Sequence, residues 1–547
     1  MPEPIEAEFA RPPIFSEAQE KHLQHEPRGD LADDPDAAYG HSITTTAAPS
    51  IHNHGTGAEL EAGEKFTIVT FEAGRGENPK EWSRGRKWFV TLGMSALCLA
   101  VALGSAMPTG NLRGTAKDLH VSSVVINLSI TTFIIGFGIG PMVFAPLSEI
   151  IGRKPVYMIS MFFYFMFTLP SALAQNIGTM IVARLIAGLA ASAPMTNVGG
   201  TIADIWDVAD RGTPMAVFSL TIFMGPCLGP LLGGWIAIGT HGWRWIYWVL
   251  FIFLGFIFIF TCFSPETYAP VLLKKKAARL RKEHNSNVYR AEHELNRTPL
   301  STTIKIGLTR PFILMFCEPI VLFMSFFLSF IYSLLYLLFF AFPIAFEEVR
   351  GWNAGTTGTS FIAVMIGIAI AFGALQYQEV LYTRASKDGA RPEARLYPMM
   401  LGAIVLPIAL FIFAFTGGYE WVHWMGPCIG GKHRIGVDCL HGLSLTMYVF
   451  TGALFGFAML LIYVSANSYI VDSYITYAAS ALAAKTFMRS EIAATVPLWV
   501  IQMFHNMGFQ YAGLLLALIA CVIAPIPFLF FYKGEAVRKR SKRAFAN

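Results

Sequence analysis

Apolar runs of about 18 residues or more recur from residue 88 to residue 532 of this chain, and charge collects between them. A run of that length crosses roughly 30 Å of hydrocarbon as a helix, so the chain reads as an all-α membrane protein. The runs give twelve spans, at roughly 88–108, 122–145, 156–175, 179–203, 214–238, 245–264, 314–342, 357–378, 398–417, 443–466, 490–510 and 512–532. Composition agrees: 14% of the residues are charged, against roughly 25% in a soluble domain.

Residues 1–87 are polar, rich in Glu, His, Pro and Gly, and read as a disordered cytosolic tail with no secretory signal, so that the first span does the targeting. Residues 265–313 form a basic connection carrying Lys274, Lys275, Lys276, Arg279, Arg281, Lys282, Arg290, Arg297, Lys305 and Arg310. It divides the chain into two six-helix bundles, 88–264 and 314–532, and a basic tail, 533–547, follows. The other even-numbered connections hold most of the remaining basic residues, among them Arg153, Lys154, Arg211, Arg384 and Arg395. By the positive-inside rule that face, with both termini, is cytosolic. Asn127 lies inside a span and Asn296 in the central connection, so neither Asn-X-Ser/Thr acceptor is expected to carry sugar. The net charge of +5 reflects topology and does not point to nucleic acid. No metal-ligand spacing, phosphate loop or catalytic triad is legible, and His505 and Cys521 have no nameable partners, so neither an enzyme nor a cofactor is expected.

Two bundles joined by one connection suit alternating access to a midplane site. After the second span the chain reads Ala145-Pro-Leu-Ser-Glu149-Ile-Ile-Gly152-Arg153-Lys154, and a degenerate copy, Gly373-Ala-Leu-Gln-Tyr-Gln-Glu379 with Arg384 beyond, follows the eighth. The first copy resembles the signature loop of the major facilitator superfamily. Its Pro-Leu-Ser-Glu form resembles the fungal twelve-span drug:proton antiporter branch, which includes polyamine, azole-resistance, organic-acid and secondary-metabolite exporters. The resemblance runs from residue 88 to 543 and takes in Arg184-x-x-x-Gly188, Gly199 to Trp206, Gly225 to Gly234, Trp243-Arg244-Trp245, Pro265-Glu-Thr-Tyr268 and Asp472-Ser-Tyr474.

That resemblance implies the major facilitator fold and export of a small organic molecule against proton entry, with the proton gradient as energy source. The lipid bilayer and a small-molecule substrate would be its partners, and a plasma-membrane monomer is expected. Glu149, Gly152, Arg153, Lys154, Asp204 and Arg211 would form a charge latch at the cytosolic mouth. In it Arg153 would pair with Asp204, and Glu149 would face the N-terminal dipole of the eleventh span. The alternative is that these charges set topology alone. Arg184, the one strongly basic residue placed well inside a run, would serve proton coupling or substrate contact, or snorkel as an anchor. Gly225, Pro226, Gly229, Pro230, Gly233 and Gly234 would let the fifth span bend and pack closely, the antiporter motif.

The family pattern would line a transport cavity with the first, fourth, seventh and tenth spans. Asn197, Tyr332, Tyr336 and Asn467 are the candidates there, with Glu318 near the cytosolic end of the seventh and plain packing as the alternative role. No acid falls near the middle of a span as drawn, which argues against a polycation; Phe-rich walls and a lone Arg suit an amphipathic or anionic solute. A drug, polyamine, organic acid or secondary metabolite remains open as cargo, as does a non-transporting sensor on the same fold. Lys432 to Gly452 departs from the family pattern, either as an unspliced intron in the gene model or as a loop closed by a Cys428–Cys439 disulfide.

Overall fold

The computed structural model describes residues 67–72, 74, 76–207, 210–295, 300–385, 392–418, 451–474, 477–541 and 544. Residues 1–66 of the tail, Asn296, the Cys428–Cys439 pair and most of the 432–452 segment lie outside them, as do the side chains of Glu379 and Arg384.

The first six spans are the helices Arg84–Ala106, Ser123–Ile151, Arg153–Ala172, Ile177–Ile205, Gly212–Thr240 and Arg244–Phe263. The next six are Pro319–Pro343, Phe361–Ala385, Tyr397–Gly417, Thr451–Ser473, Ala478–Met507 and the pair Phe509–Ile523 with Pro525–Arg540. Side chains in the sequence decide several starts. Ser83, Ser122 and Asn176 each accept a hydrogen bond from a backbone N–H of the first turn they precede, which satisfies one of the donors a helix start leaves orphaned.

The tenth span is described from Thr451, and its expected start at 443 lies outside the described residues. One boundary differs materially from the sequence expectation. The eleventh begins at Ala478, not at 490, so Lys485 and Arg489 belong to the helix rather than to its approach. Hydropathy truncates this span because two cations interrupt it. The Ala-rich stretch before them nevertheless favours helix, and both cations are buried.

Helix packing repeats after a shift of six spans. The pairs 1–5, 2–4, 3–4 and 3–6 of the first half recur as 7–11, 8–10, 9–10 and 9–12 in the second. The halves meet through spans 2 and 11 and through spans 5 and 8, which the same shift exchanges. One apolar core lies within the first half, and a larger one fills the second half and takes in Ile134 and Phe223 of the first. The chain is therefore two six-helix bundles with the internal repeat that midplane-site transporters are built on.

With an even number of spans, the start of the first, the end of the twelfth and the central connection share one face, here the basic face. The expected disordered tail needs correction within 67–87. Thr67–Ile68 (β1) pairs in parallel with Tyr289–Arg290 (β2) of the central connection. Val69, Ala277 and Ala291 form a small core beside them, and Lys276 Nζ donates to Glu77 Oε2 at 2.7 Å. The central connection itself is folded, with helices Ala269–Glu283 and Leu300–Cys317 and a bidentate Arg281–Glu294 pair at 2.9 and 3.2 Å. Polar composition concealed this unit, because its apolar contacts come from residues more than 200 positions apart.

Candidate functional site

On the basic face, Gly152 ends the second span and begins the third at φ +104°, ψ 163°, a conformation open essentially to glycine alone. The reversal lays the start of the third span on Glu266. That carboxylate accepts four backbone N–H bonds, from Arg153 at 3.1 Å, Lys154 at 3.2 Å, and Thr267 and Tyr268 at 3.0 Å each. An anion at a helix N-terminus is favoured by the orphan donors and by the dipole. The Arg153 side chain turns to the fourth span, where Nε lies 3.4 Å from Asp204 Oδ2, and its guanidinium stacks 5.0 Å above the Tyr268 ring. Arg211 bonds the Ala203 and Trp206 carbonyls at the C-terminus of that span, where a cation is favoured. Ser148 bridges Arg153 and Asn197, whose amide oxygen it reaches at 3.0 Å. Asn197 thus braces this charge cluster from span 4 and is 2% exposed. Among the described residues no hydrogen bond or ion pair holds Glu149.

The second half carries the same device under altered sequence. Arg395, just before the ninth span, donates to Asp472 at 3.1 Å near the end of the tenth, as Arg153 does to Asp204. Its guanidinium lies 3.5 Å over the Tyr382 ring. Where the first half uses Glu266 at the end of the sixth span, the second uses Arg538 near the end of the twelfth, bound to Glu393 at 2.9 and 3.0 Å. Near the start of the seventh span, Glu318 accepts from Tyr474 at 3.0 Å and Ser541 at 2.7 Å, so it belongs to the basic-face network rather than to a cavity.

Arg184 is 2% exposed and does not snorkel. Nη1 donates to the Gly104 carbonyl at 2.9 Å, and Nε to Ser129 O at 3.2 Å, with the guanidinium 4.1 Å over Phe133. Gly104 lies in the last turn of the first span, so Arg184 caps one helix from another. We expect Arg184→Ala to cost about 1–3 kcal/mol through the orphaned carbonyl, read as a lower melting temperature of the purified protein. An unchanged melting temperature would contradict that role.

The fifth span runs unbroken through Pro226 and Pro230, so the bends expected there are absorbed within a continuous helix. Gly225, Gly229 and Gly233, spaced by four, face the first span; a Cβ on any of them would strike Ala102, Ala106 or Met107. Gly234 faces the other half instead. A Cβ there would strike the Ala354 carbonyl, and one on Gly358 would lie 2.6 Å from the Pro230 carbonyl. These contacts close the halves together on the face opposite the basic one, where Arg113 also pairs with Glu348, which His505 contacts at 2.8 Å.

Between the halves, near the middles of the spans, lies a cluster that spacing in the sequence did not expose. Lys485 and Arg489, one turn apart on the eleventh span, are 3% and 2% exposed. Both donate to the Tyr463 hydroxyl of the tenth span, at 3.4 and 2.9 Å, and Lys485 also reaches Asn467 Oδ1 at 2.8 Å. Arg489 stacks 4.1 Å over Tyr332, whose hydroxyl lies 3.5 Å from that of Tyr336 on the seventh span. Phe223 of the fifth span packs edge-on against Tyr463 at 4.7 Å and brings the first half to the cluster. Three of the four cavity candidates, Tyr332, Tyr336 and Asn467, therefore meet here, and Asn197 does not.

A family model described as Major Facilitator Superfamily matches residues 89–437. The chain belongs to the major facilitator superfamily. It is 43% identical to the MFS-type transporter paaT of Penicillium rubens over 88% of this chain and 85% of that protein. It is 37% identical to the multidrug transporter mdrA of Aspergillus fumigatus, over 85% and 74% of the two chains, and 37% identical to polyamine transporter 3 of Saccharomyces cerevisiae, over 90% and 76%. The crystal structure of the nucleoside transporter NupG shares the fold at a TM-score of 0.56 and 13% identity, covering 81% of this chain and all of that one. This major facilitator protein is a multi-pass membrane transporter. Lys485 and Arg489 were missed because the eleventh span was drawn from 490. The signal that finds them is their i, i+4 spacing on an Ala-rich helix.

Proposed function

We propose that this transporter exports a small organic solute from the cytosol, across the plasma membrane, in exchange for protons. The basic residues of the central connection and the terminal helix support a cytosolic basic face by the positive-inside rule. In the conformation described, the contacts of Gly234 and Gly358 with the opposite half seal the other face. Rocking of one bundle against the other would break that seal and bring the spans together on the basic face.

The observation that supports proton coupling is Glu491. It lies within the eleventh span, half buried, at the seam where that span crosses the second, and a Cβ on Gly138 would lie 2.5 Å from its Oε1. That oxygen is buried with no hydrogen-bond partner among the described residues. A carboxylate held this way in a membrane protein is costly when charged, so its protonation is tied to which way the seam opens. Glu491→Gln is expected to abolish gradient-driven efflux while solute exchange at equal concentrations persists. Efflux that still follows the proton gradient in this variant would remove Glu491 from the mechanism.

A further inference from the structure

Lys485 and Arg489 put two cations within one turn of helix, and a single phenol hydroxyl accepts from both. The remaining neighbours, Tyr332, Tyr336 and Asn467, bring no carboxylate, and Phe223 closes the side toward the first half. Among the described residues no carboxylate lies within ion-pair distance of either cation. Glu491 is two positions beyond Arg489, so the two side chains leave the helix in different directions, and Glu491 lies instead against Gly138 of the second span. Arg489 also keeps a buried Nε that bonds nothing described.

Burying one unpaired charge costs several kcal/mol, and like charges side by side add repulsion. A fold that keeps two at the meeting of its halves retains them for something that arrives. We propose that this cluster is the binding site for an amphipathic organic anion, a carboxylate or comparable group carried on an aromatic or aliphatic body. The anionic head would sit between Lys485 Nζ and Arg489, with Tyr463 as hydrogen-bond donor once the anion has taken over as acceptor. The apolar body would lie along Tyr332, Tyr336 and Phe223. A polyamine would meet two like charges here, so polycations are the class this site excludes.

The inference rests on the transporter reading, but equilibrium binding tests it without any flux. Full-length protein in detergent would be titrated with naphthoate and with naphthamide, which keeps the ring and lacks the charge. Naphthoate is expected to bind and raise the melting temperature, and naphthamide to do neither. Arg489→Gln and Lys485→Met should each weaken naphthoate binding by about thirtyfold. Without ligand, Lys485→Met should melt higher than the parent chain, because one of two repelling buried charges is gone. Equal binding of the amide and the acid, or variants that bind naphthoate like the parent, would overturn the site. The parent comparison stands even if a variant does not fold. Anion binding without flux would instead sink the proposed export and leave the site intact.

Discussion

Gly234→Val is expected to stall transport and leave the protein open on the face opposite its basic connection. The reason is local: any side chain at 234 meets the Ala354 carbonyl of the other half, a backbone atom that cannot turn aside. The fifth span would have to withdraw from the start of the eighth, and the seal made there and at Gly358 would part. The neighbours Gly225, Gly229 and Gly233 give a contrasting result, since their substitution crowds the first span within the same half and should lower stability rather than change which face is open. Spin labels at the exposed residues Thr240 and Asn353, in a cysteine-free background, read the difference directly. The expected result is a longer, broader distance distribution in Gly234→Val and an unchanged one in Gly225→Ala. The same distribution in all three proteins would show that the glycine run does not govern the seal.

The second large effect is expected at Gly152. Alanine there must adopt φ +104°, which costs on the order of 1–3 kcal/mol by itself. Its Cβ would also lie 2.5 Å from Glu266 Oε2, so the carboxylate would have to leave the four N–H groups it holds. Both costs fall on one junction, so Gly152→Ala and Glu266→Gln should be strongly non-additive in a double-mutant cycle. Thermal melting of the purified variants measures this. Additive losses would mean that the glycine serves the turn alone and the carboxylate the third span alone.

Much of this architecture was legible in the residues themselves. The apolar runs located the spans because lipid leaves the backbone no partner but itself. The motif Ala145 to Lys154 marked the place of the turn and of the Arg153–Asp204 pair because a reversal at positive φ needs Gly152. The second such pair was not legible. Arg395 and Asp472 reproduce the geometry of Arg153 and Asp204, yet Arg395 is displaced along the connection, and an eye following spacing settled on Arg384. Arg184 announced itself as buried charge, but nothing in the sequence told that its partners are the carbonyls of Gly104 and Ser129, since every residue carries that acceptor. The cationic cluster was hidden by its own chemistry: Lys485 and Arg489 lower the hydropathy of the helix they stand in, so the rule that finds spans discards the part of this one that carries them.

The central claim is exchange of an organic solute for protons, and one measurement bears on it most directly. Cells expressing the chain, loaded in turn with an azole, spermine, a dicarboxylate and a glycolipid, would be followed for efflux with the proton gradient intact and with it collapsed. The account predicts that at least one anionic or amphipathic solute leaves faster than from control cells, and that collapse of the gradient abolishes the difference. Accelerated efflux that survives collapse of the gradient would contradict proton exchange, and no accelerated efflux of any solute from cells with verified surface protein would contradict export itself.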